Sequence, residues 1–182
     1  DNILKAIEST PAETVFVLPN NKNIIMAAEQ AIPISTRKVI VIHTRTIPQG
    51  ITAMLSFDPD ADDNANAIEM QKAAEKIATG QITFAARDSD YEGHKIKKGE
   101  LLALANGKVS FVETDMSRCI QKLIKQLLNR DSSFVTVIYG EDVTDERAAE
   151  IEEELNAKFA GKVEFTFIKG MQPIYYFIIS VE

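Results

Sequence analysis

A chain of 182 residues with 45% hydrophobic and 26% charged residues has the make-up of an ordinary globular protein, long enough for one domain or two α/β lobes. Its net charge of −7 argues against a general nucleic-acid role, because phosphate binding needs clustered cations and the densest cluster, Lys95-Ile96-Lys97-Lys98, is short. No apolar run approaches the roughly 20 residues of a membrane helix. The single cysteine, Cys119, excludes an internal disulfide and favours a reducing, cytoplasmic setting.

The chain opens on Asp1-Asn2-Ile3-Leu4 rather than Met, as expected of a piece of a longer protein, and no signal peptide is visible. Ile3 to Ser9 is weakly helical, and Thr10-Pro11 breaks it. Val15–Leu18 is a continuous apolar run that stops at Pro19-Asn20-Asn21, as a buried parallel strand does at the rim of an α/β sheet. A helix over 21–32 follows, with Asn20 or Asn21 as N-cap and Ile24, Ile25, Ala28 and Ile32 on one face. Lys38–Ile42 returns as a second apolar strand. Strand, helix and strand at this spacing predict a right-handed parallel βαβ unit.

Pro48-Gln49-Gly50 opens a short apolar helix over 51–57. The acidic run Asp60-Ala61-Asp62-Asp63-Asn64 lacks the Gly and terminal Glu of a calcium loop. It reads as the negative first turn of a helix over 64–78. Beyond Gly80 the apolar period shortens to two, which predicts strands over 81–87, 100–105 and 108–113. Asn106-Gly107 is a type I′ hairpin signal, and Tyr91-Glu92-Gly93-His94 is a second turn. A helix over 117–129, a buried strand over 134–139, a helix over 145–159 capped by Thr144, and strands over 162–168 and 174–181 complete the chain. The expected fold is mixed α/β: a largely parallel sheet with flanking helices and an antiparallel hairpin insert. A first α/β lobe carrying the insert is expected over 1–114 and a second over 115–182.

The inventory for catalysis is poor. There is no phosphate loop and no dinucleotide fingerprint, and the two histidines and the cysteine lack the spacing of a zinc site. His43 stands at a strand end beside Thr44 and Arg45, and His94 falls in a turn. Cys119, early in an amphipathic helix, is expected to be a buried inert thiol. No catalytic or metal-binding residue is assigned. The polar strand ends offer more: Asn20, Asn21 and Asn23 at one rim, Thr44, Thr46, Gln49 and Gly50 at the next. A parallel unit brings both rims to one edge, where open α/β folds receive ligands and partners. The same asparagines also suit turns and helix caps.

Val15-Phe-Val-Leu-Pro-Asn-Asn-Lys-Asn-Ile-Ile and Thr46-Ile-Pro-Gln-Gly-Ile-Thr-Ala-Met-Leu-Ser-Phe-Asp-Pro resemble the C-terminal domain of the catalytic subunit of bacterial fatty acid kinases, a dihydroxyacetone-kinase-like family. The likeness continues through Ala86-Arg87-Asp88, Ile96-Lys-Lys-Gly-Glu, Tyr139-Gly-Glu-Asp-Val and Gln172-Pro-Ile-Tyr-Tyr-Phe-Ile-Ile-Ser-Val-Glu. Where that family more often has Pro, this chain has His43. The resemblance implies that an N-terminal domain of the parent protein binds ATP and magnesium, and that the parent is a homodimer. It implies that this domain, with no cofactor of its own, docks a DegV-type fatty-acid-binding protein. The carried fatty acid would then become an acyl phosphate for phospholipid synthesis. Asn20, Asn21, Asn23, Thr46, Gln49 and Gly50 are the expected docking residues. The alternatives are a dihydroxyacetone-like small-molecule site using His43, and a dimerisation module.

Overall fold

In the computed structural model, which describes residues 2–182, the chain divides into two compact units, Asp1–Ile77 and Ala78–Glu182. The first is built from α1 (Asn2–Ser9), β1 (Thr14–Val17), α2 (Lys22–Ala31), β2 (Lys38–Val41), α3 (Ile47–Leu55) and α4 (Asp63–Glu75). The two strands pair in parallel, Thr14 opposite Lys38 through Val17 opposite Val41, as the βαβ reading requires.

Because side chains alternate across a strand, this narrow sheet feeds two cores. Val15, Val17, Val39 and Val41 pack with Ile7 and Ala31 on the α1–α2 side. Phe16, Leu18, Ile40 and Ile42 pack with Ala53, Met70 and Ala74 on the α3–α4 side. The helices meet the sheet through small residues: α2 buries Ala28 and Ala31, while Ile24 and Ile32, expected to face the core, are each 40% exposed. Asp62 caps α4 by accepting the Ala65 N–H at 2.7 Å. Asp63 joins α4 to the sheet through Lys38 Nζ at 2.8 Å and Thr14 Oγ1 at 2.9 Å.

The second unit holds β3 (Ala78–Phe84), β4 (Ser89–Tyr91), β5 (His94–Ile96), β6 (Leu101–Ala105), β7 (Lys108–Glu113), α5 (Met116–Leu127), β8 (Phe134–Tyr139), α6 (Asp145–Lys158), β9 (Glu164–Lys169) and β10 (Phe177–Val181). β4 and β5 form a separate ribbon. The other six strands make one sheet in the order β7-β6-β3-β10-β8-β9. Asn106 and Gly107 both have positive φ, 51° and 84°, as the hairpin between β6 and β7 demands. α5 buries Cys119, Ile120, Leu123, Ile124 and Leu127, and these share one core with α6 residues Ile151 and Leu155 and with strand residues Ile82, Val135, Val137, Phe177 and Ile179.

The mixed α/β class holds, but two expectations need correcting. Antiparallel pairs outnumber parallel ones in the larger sheet, because β10 runs antiparallel between β3 and β8 and only β8–β9 is parallel there. For the same reason no boundary lies at 114/115: β3, β6 and β7 belong to the sheet of β8–β10, and the division falls at 77/78. Strand β3 also begins before Gly80 rather than after it. Leu123 and Leu127 of α5 pack close against this glycine: a Cβ there would lie 2.8 Å from Leu127 Cδ1, so a larger residue would make these side chains shift.

Candidate functional site

The edge formed by the C-terminal ends of β1 and β2 carries the polar residues singled out above. Beyond β1 the backbone turns at Asn20, which adopts φ 55°, a left-handed conformation that asparagine tolerates better than most residues. Its N–H donates to Thr44 Oγ1 at 3.1 Å. Thr44 is fully buried, so one hydroxyl ties the two rims together. The Asn20 carboxamide rests against Gly50 of α3. Its Oδ1 is buried without a hydrogen-bond partner among the described residues.

Thr46 is the N-cap of α3, accepting the Gln49 N–H at 3.3 Å, and Gln49 Oε1 reaches back to accept the Arg45 N–H at 2.7 Å. The pattern resembles a capping box, except that the Gln49 side chain takes the N–H of the residue before the cap rather than that of Thr46 itself. Asn20, Thr46, Gln49 and Gly50 therefore form one assembly with Thr44. Asn21 and Asn23 instead serve α2: Asn21 is its N-cap and accepts the Asn23 N–H at 2.9 Å. Both are exposed.

His43 lies beside this assembly. Its N–H donates to Gln71 Oε1 at 2.8 Å, and its ring Nε2 lies 2.7 Å from Glu29 Oε1. With Arg45, Gln49, Gln71 and Glu75 it lines a recess of about 300 Å³. Cys119 is fully buried. Burial first, then the nearby Glu113 charge, pushes its thiol up to about 12. In the second unit, Asp145 bonds Lys169 Nζ at 3.1 Å and Tyr139 Oη at 3.1 Å. The lysine, then the phenol, hold its carboxyl below the usual range. Among the described residues, no three or more His, Cys, Asp or Glu side chains are grouped to hold a metal ion. Among the described residues, no helix is long and apolar enough to cross a membrane.

The feature that sequence reading missed is the outer face of α3. Pro48, Gly50 and Ala53 point inward and are buried. Ile47, Ile51, Met54 and Leu55 point outward, 49%, 45%, 64% and 82% exposed. The spacing i, i+4, i+7, i+8 makes them one stripe. Scattered exposed apolar residues mean little, but a contiguous row marks an interaction surface. The large apolar residues already share one face in the sequence, with Gln49 and Thr52 on the other; what the sequence does not show is that this face turns outward.

The FakA-like C-terminal domain family, named for a fatty acid kinase component, matches residues 1–182. The chain belongs to that family. Protein YloV of Bacillus subtilis strain 168 is 38% identical over 182 residues, covering all of this chain and 33% of its own length. The chain thus spans about a third of the curated relatives it matches. Among solved structures, a DegV family protein from Ruminococcus gnavus with vaccenic acid aligns over 100% of this chain and 76% of its own, with TM-score 0.64 and 11% identity. The dihydroxyacetone kinase of C. freundii, in complex with AMP-PNP and Mg2+, aligns over 98% of this chain and 40% of its own, with TM-score 0.67 and 14% identity. At such identities the likeness is one of fold. This family domain therefore shares its fold with both a lipid-associated DegV protein and a kinase.

Proposed function

We propose that this domain is the carrier-docking part of a fatty acid kinase. A DegV-type fatty-acid-binding protein seats on the β1–β2 edge and the outer face of α3. Its carried fatty acid is phosphorylated to an acyl phosphate, feeding phospholipid synthesis in the cytoplasm. ATP and magnesium belong, in this reading, to a separate domain of a homodimeric parent protein. Docking would raise the effective concentration of the carboxylate at that domain without new bond-making groups here.

The observation that supports this reading is the outward stripe Ile47, Ile51, Met54 and Leu55, continuous with the Thr46–Gly50 rim. An apolar centre beside a polar rim is the anatomy of a protein–protein interface. A pull-down with the loaded carrier tests the rim: retention equal to wild type after Asn21→Ala together with Gln49→Ala would remove it from the interface. Because Asn21 caps α2, the melting temperature is measured alongside.

The rival reading, a small carbonyl ligand held by His43, draws on the recess that His43 shares with Arg45 and Gln71. Mass spectrometry of the intact chain with dihydroxyacetone separates the two: a covalent hemiaminal adduct lost in His43→Ala would favour the rival. For the third reading, a dimerisation module, sedimentation would show a concentration-dependent dimer.

A further inference from the structure

The C-terminal ends of α5 and α6 frame a recess of about 650 Å³, within the range of small-molecule sites. Four cations line it, Lys125, Arg130, Lys158 and Lys162, and no carboxylate does. In a chain with 27 acidic and 20 basic side chains, such a one-sided lining is unusual. Its apolar wall is made by Leu128, Phe159 and Val163, extensions of the core beneath.

The helix ends explain only part of this charge. Lys125 and Lys158 stand in the last turns of α5 and α6, where cations complement the unpaired carbonyls. Lys158 is also held by Gln121 Oε1 at 3.1 Å. Arg130 and Lys162 lie beyond the helix ends. Neither makes an ion pair or a side-chain hydrogen bond among the described residues, yet both line the recess. Both are exposed, so their charge is solvated and open to an anion from outside the chain.

We propose that this recess binds a single-chain amphiphilic anion, its carboxylate or phosphate head between Arg130 and Lys162 and its tail along Leu128 and Val163. A nucleotide fits less well, because Phe159, the one aromatic side chain in the wall, is 4% exposed and offers no face on which a base can stack. The concave form also suits one molecule better than a flat bilayer. The inference stands on the lining and does not depend on carrier docking, which is read with a different titrant and with variants in the other unit.

The test is calorimetry and amide NMR of the 182-residue chain with dodecyl phosphate below its micellar concentration. Inorganic phosphate, dodecyl maltoside and phosphatidylglycerol vesicles are run in parallel. Dodecyl phosphate is expected to bind saturably at one site, shifting amides within 125–132 and 158–163. Arg130→Gln with Lys162→Gln is expected to weaken it at least tenfold, with an unchanged amide spectrum in the absence of ligand. Inorganic phosphate binding as tightly would make this a simple anion site and overturn the proposal. So would equal binding of dodecyl maltoside, undiminished binding by the double variant, or vesicle binding without a saturable dodecyl phosphate site.

Discussion

Asn20 and Gly50 are fitted to each other: the Asn20 carboxamide occupies the space in which a side chain at position 50 would begin. This contact locks the turn after β1 to the first turn of α3. Gly50→Ala is therefore expected to destabilise the protein by about 1–3 kcal/mol, the usual cost of overpacking. Asn20→Gly clears the space, suits the left-handed backbone there and removes a buried oxygen that has no partner. The double variant is expected to recover most of the loss. Urea unfolding of the two single variants and the double gives the coupling directly.

The Glu8 carboxylate accepts hydrogen bonds from Ser35 Oγ at 2.6 Å, the Thr36 N–H at 2.8 Å and Thr36 Oγ1 at 2.6 Å. These bonds, led by Ser35, lower its pKa from 4.5 to about 2. A depressed carboxylate stabilises the fold above its unfolded pKa, and that contribution fades as pH falls toward the folded value. Glu8→Gln is expected to lower the melting temperature at neutral pH. The gap from wild type should close as pH drops from about 4.5 toward 2. Melting curves across that window check it; a gap independent of pH would assign the effect to packing.

Cys119 combines full burial with a thiol pushed up to about 12, so almost no thiolate forms at neutral pH and no reagent reaches it. Labelling by a disulfide reagent is expected only at the rate of unfolding, and to become immediate in denaturant. Cys119→Ser is expected to cost about 1–3 kcal/mol by burying a hydroxyl among apolar groups, measured by the denaturation midpoint.

What the sequence disclosed and what it withheld follow from the range of the interactions. The parallel βαβ unit and the Asn106–Gly107 hairpin were legible because each is set by neighbours in the chain: apolar runs that end at asparagine and threonine, or two positive φ angles in succession. The Asn21 and Thr144 caps are local in the same way, whereas the Thr46 and Asp62 caps were not singled out. Nothing local records that β10 would insert between β3 and β8, so the antiparallel sheet and its boundary at Ile77 were missed. The rim residues Asn20 and Gly50 were legible as residues, but not as partners, because their contact spans two turns of the fold. The α3 stripe is an apolar face in the sequence, with Gln49 and Thr52 on the other side, but such a face is expected to turn inward, and here it turns out. Only burial separates Gly50 and Ala53 from Ile51 and Leu55.

Carrier docking is tested most directly by titrating this chain calorimetrically with a fatty-acid-loaded DegV-type protein, wild type against Ile51→Glu with Leu55→Glu. Both side chains are exposed, so the variant is expected to keep its melting temperature. Saturable binding by the wild type, weakened at least tenfold in the variant, is the predicted result. Absence of binding by the wild type would contradict the docking function, and equal binding by a folded double variant would contradict the α3 face.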